Sequence, residues 1–244
     1  MAPSVGIITQ ARMTSTRLPG KVLIEVGGQT LLDHHLDRLA MSGLPVFVAT
    51  TVNDADEPIV ELASGRGLVT HRGSEDDVLS RFAECAESAH LDVVVRVTSD
   101  CPLIDGRLIA DAVALYVEAA DPDLYLANTL ERTFPRGFDF EVFSGSMLAD
   151  ANRHASTLPQ REHVTPYLYD NVSGRTTMRN ISWPVDRSAY RVTLDTEDDL
   201  RLIRTLIEEY DAPSLDCAGI IEVLDAHPEV ATINAHVEQK KLSG

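Results

Sequence analysis

Asp92-Val93-Val94-Val95-Arg96-Val97, followed at once by Thr98-Ser99-Asp100-Cys101-Pro102, is the stretch whose reading decides the fold. Its near-continuous apolar run lacks the alternation of a half-exposed strand, so it predicts a strand covered on both faces, as in parallel sheets. Working outward toward the N-terminus, Gly6-Ile7-Ile8-Thr9-Gln10 and Val46-Phe47-Val48-Ala49-Thr50 read as further buried strands, and Gly67-Leu68-Val69-Thr70 as a short one. Helical segments lie between them. Leu31 to Ala40 follows a Thr30-x-x-Asp33 capping box, Pro58 to Ala63 carries proline in its first turn, and a helix running to about Ser88 follows Ser74-x-x-Asp77. Leu108 to Val117 is the helix after the central strand. This alternation predicts an α/β chain, a three-layer and mostly parallel sheet with helices on both faces. Ligands of such sheets bind beyond the carboxyl ends of the strands, which directs the search for chemistry.

The second half is less regular. Phe138-Asp139-Phe140-Glu141-Val142 alternates with period two and reads as a strand, and Tyr190-Arg191-Val192-Thr193-Leu194 reads as another. Gln160 to Tyr169 reads as helical with an interruption at Pro166. Thr196-x-x-Asp199 caps a helix from Asp198 to Tyr210, and a last helix spans about Ala218 to Ala226 before a polar tail. No repeat or linker divides the chain, so residues 1–244 are expected to form one domain. Within it, residues 125–190 would be an acceptor-binding or dimerisation subregion, and 211–244 a C-terminal helix and tail.

Composition narrows the function. The chain has 38 acidic residues against 21 Lys and Arg, a formal charge of −17, which repels a nucleic-acid backbone and makes a DNA or RNA partner unexpected. No apolar run approaches the roughly 20 residues of a membrane helix, so no membrane partner is expected either. Met1-Ala2-Pro3-Ser4 has no basic region or apolar signal core, and the three cysteines, Cys85, Cys101 and Cys217, form no C-x-x-C pair. A reducing, cytoplasmic setting fits both observations.

Within so acidic a chain, Gln10-Ala11-Arg12-Met13-Thr14-Ser15-Thr16-Arg17-Leu18-Pro19-Gly20-Lys21 is conspicuous: three cations fall in residues 12–21, where composition alone gives about one. Small residues expose backbone N–H groups and the cations supply charge, which together suits a triphosphate. The loop is no Walker A motif, because no glycine opens it and Val22 follows the lysine. Asp100, directly after the most buried strand, is the first candidate for a Mg2+ ligand, or else a turn aspartate ahead of Pro102. Asp195 also follows a strand-like run and precedes a capped helix, and is a second candidate, whereas Asp198 and Asp199 suit a helix first turn. Arg72 and Gly73, after the third strand, are placed to meet a base. Arg136, Asp139, Glu141, Arg161 and His163 are candidates for an acceptor site, and Asp139 and Glu141 share one strand face that is otherwise simply solvated.

Together these segments resemble the cytidylyltransferase family typified by spore coat polysaccharide biosynthesis protein F, related to the CMP-Kdo and CMP-sialate synthetases. The match runs from the loop Gln10 to Lys21 through Arg72-Gly73-Ser74-Glu75-Asp76-Asp77-Val78-Leu79-Ser80-Arg81, Asp100-Cys101-Pro102-Leu103-Ile104-Asp105 and Pro135-Arg136-Gly137. It continues with Arg161-Glu162-His163-Val164-Thr165-Pro166-Tyr167 and Asp195-Thr196, covering about residues 5–208. The resemblance implies a nucleotide-diphospho-sugar transferase fold, GT-A-like and Rossmann-like. It implies a nucleotide site on Gln10, Ala11, Arg12, Ser15, Arg17 and Lys21, a base near Arg72, Gly73 and Ser74, and Mg2+ on Asp100 and Asp195. Arg12, Lys21 and Asp100 would be catalytic, CTP and a small anionic acceptor the substrates, and a homodimer the assembly. The sequence departs from the family's usual glycine at Thr14 and at Ser99. Two other classes compete: a glycosyltransferase, for which Asp139-Phe140-Glu141 is the nearest D-x-D metal motif, and a non-catalytic nucleotide-binding module.

Overall fold

A computed structural model describes residues 2–15 and 17–238; Thr16 of the basic loop and residues 239–244 of the expected tail lie outside the described residues. In chain order the elements are β1 (Val5–Gln10), β2 (Glu25–Val26), β3 (Gln29–Thr30), α1 (Leu31–Ala40), β4 (Val46–Thr51), α2 (Glu57–Gly65), β5 (Val69–Gly73), α3 (Val78–Ser88), β6 (Val93–Thr98) and α4 (Gly106–Ala119). Then follow β7 (Leu124–Ala127), β8 (Glu141–Ser144), α5 (Gly145–His154), α6 (Leu158–His163), α7 (Pro166–Tyr169), β9 (Thr177–Asn180), α8 (Glu197–Tyr210), α9 (Cys217–Ala226) and α10 (Pro228–Ala231).

One sheet has the order β5-β4-β1-β6-β8-β7-β9. Every neighbouring pair is parallel except the two that β8 makes, with β6 and with β7, so β8 alone runs against the rest. The period of two along each strand divides the core into layers. Ile7, Val48, Val93, Val95 and Val97 pack with Leu36, Leu39, Ile109 and Val113 of α1 and α4. Ile8, Ala49 and Val94 pack with Leu79, Phe82, Met147 and Leu148 of α3 and α5. The expected three-layer, mostly parallel sheet is therefore the observed one. A further apolar cluster joins α8 and α9 to Leu18, Leu103, Phe138, Val192 and Leu194, bringing the last quarter of the chain against the loops that end β1 and β6.

Several local expectations are corrected. β5 extends to Gly73, so Arg72 and Gly73 belong to the strand and do not follow it. Asp77, accepting from Ser80 N at 3.0 Å, caps α3, while Ser74 Oγ accepts from Asp77 N one turn earlier. β8 begins at Glu141, because Phe138 O and Phe140 N are taken at 2.7 and 3.1 Å by the side chain of Asn128 and not by a ladder. Residues 190–194 are extended but make only the isolated bridge Arg136–Arg191, with Leu194 N donating to Asp100 O at 2.7 Å. The helical stretch near 160–169 breaks at Val164, φ +70°, into α6 and α7 ahead of Pro166. The capping box of Thr196 and Asp199 forms as expected.

Candidate active site

Two adjoining clefts open beyond the carboxyl ends of β1 and β6. The first, about 240 Å³, is walled by Gln10, Ala11, Arg12, Ser15, Arg17 and Lys21 of the basic loop, by Thr98, Ser99 and Asp100 after β6, and by Arg81 and Asp195. The parallel pairing of β1 with β6, Gln10 opposite Thr98, puts the two loops side by side. Lys21 stands at their junction. Its Nζ donates to Leu194 O at 2.5 Å and lies 2.9 Å from Asp195 Oδ1 and 3.4 Å from Asp100 Oδ2. Burial alone would lower the Lys21 pKa, but Asp100 and Asp195 outweigh it and hold the pKa above its ordinary value. Asp100 is the mirror case: burial favours its neutral form, but Lys21 and the Thr98 hydroxyl, at 2.5 Å, hold its carboxyl below the usual range. Both groups are thus charged at neutral pH.

Asp195 is held on its other side by Arg17 at 2.9 Å and Arg191 at 3.0 Å. Beneath it lies Asp199, fully buried, whose carboxylate takes Arg191 Nε at 2.8 Å, Asn234 Nδ2 at 2.7 Å and the backbone N–H groups of Asp195 and Thr196 at 3.0 Å each. In sequence Asp199 reads as a helix first-turn acid and as half of the Thr196-x-x-Asp199 capping box. Its further role needed Arg191 and Asn234, which carry no local signature. His35 was also assigned nothing. It is fully buried, and burial pushes its pKa down to about 4. Its Nδ1 faces Cys101 O at 2.8 Å; a carbonyl only accepts, so Nδ1 carries the hydrogen and Nε2 accepts from the Thr9 hydroxyl at 2.8 Å. This bond fixes the backbone immediately after Asp100.

Arg72, Gly73 and Ser74 do not line the cleft. Arg72 spends its guanidinium on Thr51 O, Asn53 O and Glu57, at 3.1, 3.1 and 2.6 Å. Gly73 and Ser74 instead seat Arg81: a Cβ on Gly73 would lie 3.0 Å from Arg81 Cγ, and Ser74 O accepts from Arg81 NH1 at 2.7 Å. Arg81 closes the Arg72-to-Arg81 motif, but nothing in the sequence alone gives it a role. Thr14, where the family usually has glycine, bonds Glu75 at 2.5 Å, and Ser99 sits buried in the cleft wall.

The second cleft, about 350 Å³, shares Thr98 with the first and is lined by Arg96, Arg132, Arg136, Asp139, Glu141, His163, Thr165 and Tyr169 among others. Asp139 forms a two-pronged pair with Arg132, at 2.6 and 2.8 Å. Glu141 is buried and engaged by Arg96, by Tyr125 OH at 2.5 Å and by Thr165 Oγ1 at 2.7 Å. The two carboxylates of Asp139-Phe140-Glu141 thus face separate arginines, Arg132 and Arg96, and do not converge on one cation as a D-x-D metal motif would. Arg136 differs: its guanidinium has no hydrogen bond or ion pair among the described residues, and burial and the neighbouring Arg132 lower its pKa. Gly137, φ +106°, permits this placement, since a Cβ there would meet Val192 O at 2.5 Å. Arg161 is not in either cleft; it ties α6 to Asp77 and to Asn152 O. Among the described residues no three His, Cys, Asp or Glu side chains gather to hold a metal by themselves, and no helix is long and apolar enough to cross a membrane.

Comparison with known proteins agrees with this geometry. The spore coat polysaccharide biosynthesis protein SpsF of Bacillus subtilis is 30% identical over 92% of this chain and 95% of its own length. The 3-deoxy-manno-octulosonate cytidylyltransferase of Solibacter usitatus is 30% identical over 89% of this chain and 91% of its own. The structure of a cytidylyltransferase from Leptospira borgpetersenii serovar Hardjo-bovis superposes with a TM-score of 0.90 at 32% identity, covering 98% of this chain and all of that one. The cytidylyltransferase family matches residues 6–219, and the chain belongs to that family of nucleotidyltransferases.

Proposed function

We propose that this protein transfers CMP from CTP, with Mg2+, to a small anionic acceptor and releases pyrophosphate. The observation that carries the reading is the convergence of Asp100 and Asp195 on the one Lys21 ammonium, beside a second cleft whose Arg136 has no ion pair among the described residues. Two carboxylates already facing one positive charge fit a divalent cation that takes one or two protein carboxylates and fills its remaining positions with water and phosphate oxygens. Asp100 and Asp195 would hold that ion, which when bound offsets triphosphate charge. The protein's own part is to position and stabilise. Arg12, Arg17 and Lys21, with Ala11 and Ser15 of the same loop, receive the triphosphate, and the cations stabilise charge developing on the transferring and leaving oxygens. Phosphoryl-type transfer asks for little covalent help, so no side-chain nucleophile is required.

Arg136, with His163 beside it, orients the acceptor so that an acceptor oxygen attacks the α-phosphorus across Thr98. Sugar acids, sugar phosphates and phosphonates all carry such an anionic oxygen, and the relatives, a spore coat polysaccharide biosynthesis protein and a 3-deoxy-manno-octulosonate cytidylyltransferase, favour a carbohydrate acid. We read residues 1–244 as one domain, acting as a cytoplasmic homodimer on the strength of the family. The test is a pyrophosphate-release screen of four nucleoside triphosphates against these acceptor classes. Release with CTP is expected, reduced about 10²–10³-fold in Lys21→Met, which removes a preorganised charge at the reacting centre. Full turnover in Lys21→Met, or nucleotide-sugar use without pyrophosphate, would overturn the reading.

A further inference from the structure

Two buried polar atoms in the wall of the first cleft have no hydrogen-bond partner among the described residues: Gln10 Oε1 and Arg81 Nε. Buried polar groups are nearly always paired, so an orphan in a cleft wall marks a place where a ligand atom belongs. The two orphans have opposite polarity, since a carboxamide oxygen only accepts and a guanidinium N–H only donates. They also lie on the same side of the sheet. Gln10 ends β1 on the face of Ile8, and Ile8 packs with Leu79 and Phe82 of α3, the helix that carries Arg81. Arg81 is 1% exposed, in the space left by the missing side chain of Gly73 and fixed by Ser74 O. A buried guanidinium with so few partners is costly to keep, which is the mark of a group retained for a ligand.

The ligand that fits is not the triphosphate. A triphosphate offers acceptors alone, which would satisfy Arg81 and repel Gln10 Oε1. The required ligand carries an N–H or O–H donor beside an acceptor. Resting on the cytidylyl-transfer reading, we propose that Gln10 and Arg81 read the nucleobase and select cytosine over uracil. Gln10 Oε1 accepts from the exocyclic amine, and Arg81 donates to a ring acceptor on the same edge. Uracil puts a carbonyl where cytosine has the amine, and so sets oxygen against oxygen at Gln10. Gly73 and Ser74 then serve the base indirectly, through the seat that they make for Arg81.

Titration calorimetry with CTP, UTP and dCTP, without acceptor, tests this on the wild-type chain and on Gln10→Met, which keeps the length of the side chain and removes its hydrogen bond. The wild type is expected to bind CTP at least tenfold more tightly than UTP. In Gln10→Met, CTP weakens about tenfold, as for loss of one buried hydrogen bond, and UTP does not, so the ratio falls toward one. A ratio unchanged in Gln10→Met, or equal weakening of CTP and UTP, would overturn the assignment. So would a dCTP penalty that disappears in Gln10→Met, because Gln10 would then be holding the ribose. Equal wild-type affinity for CTP and UTP would refute base reading alone, whereas no binding of any nucleotide would remove the transferase reading beneath it.

Discussion

The two adjoining clefts are built by different means. The first takes its walls from the ends of parallel strands β1 and β6, and nearly every charge in it is answered by another: Lys21 by Asp100 and Asp195, Asp195 by Arg17 and Arg191, Arg191 by Asp199. The second is walled mainly by residues 129–169, around the antiparallel strand β8, and leaves Arg136 without a partner among the described residues. The difference follows from what each cleft must do when empty. Two carboxylates a few ångströms apart repel, so the first cleft keeps its shape only with cations and a buried platform in place. In the second, Asp139 and Glu141 are each answered by an arginine, Arg132 and Arg96, and the like-charge repulsion on Arg136 from Arg132 costs little at half-exposure. On the proposed function, preorganisation is concentrated where charge would develop, and the proposed acceptor side is left to be completed by its ligand.

The platform is where this contrast is broken most severely. Asp199→Ala removes the partner of the buried Arg191 guanidinium and the acceptor for two backbone N–H groups under Asp195. Breaking a buried pair by removing one partner costs about 3–5 kcal/mol. Urea unfolding should show a loss of that order; a loss under about 1 kcal/mol would mean that Asp195 and solvent replace Asp199, and that the first cleft has no rigid floor.

A somewhat smaller effect is expected from His35. Its folded pKa is depressed from 6.5 to about 4, so the folded state holds it neutral while the unfolded chain binds a proton below pH 6.5. The stability it contributes is full above pH 6.5 and is lost as the pH falls through about 4. At roughly 1.4 kcal/mol per pKa unit that is about 3 kcal/mol across the window. His35→Gln should flatten the wild-type curve by about that much between pH 6.5 and 4. Parallel curves would show that His35 titrates normally and does not brace the backbone after Asp100.

The same contrast explains what the sequence made legible. Val93-Val94-Val95 and Ile7-Ile8 announce buried parallel strands by composition, and the rule that sites lie beyond their carboxyl ends then finds Lys21 and Asp100 without further information. Asp195 was found for a partly wrong reason: residues 190–194 are extended but belong to no ladder, and the helix cap gave the position. β7 is only four residues of uniform burial and β9 is four mostly exposed ones, so neither shows a period. Arg72 and Arg161 read as ligand-binding cations because a guanidinium looks the same in sequence whether it faces a cleft or, like these two, binds backbone carbonyls and a neighbouring carboxylate. The pairing of Gln10 with Arg81 is hidden for the opposite reason: Gln10 is legible as a nucleotide-site residue, Arg81 reads only as part of a helix, and only the packing of α3 on β1 brings them into one wall.

Arg136→Gln is the mildest of the changes and separates the clefts most cleanly. Because the Arg136 guanidinium has no protein partner among the described residues and stands near Arg132 and Arg191, its removal breaks no pair and relieves like-charge repulsion. Stability should therefore stay within about 0.5 kcal/mol of wild type, as for a substitution away from buried networks. If this side chain meets the acceptor's anion, the acceptor KM rises about tenfold, roughly one charge-assisted hydrogen bond, while CTP affinity is unchanged. Lys21→Met should do the reverse, lowering kcat with the acceptor KM little altered. A shift in CTP affinity in Arg136→Gln would join Arg136 to the triphosphate site, and a loss of more than 1 kcal/mol of stability would make it a structural cation, like Arg191 beneath the other cleft.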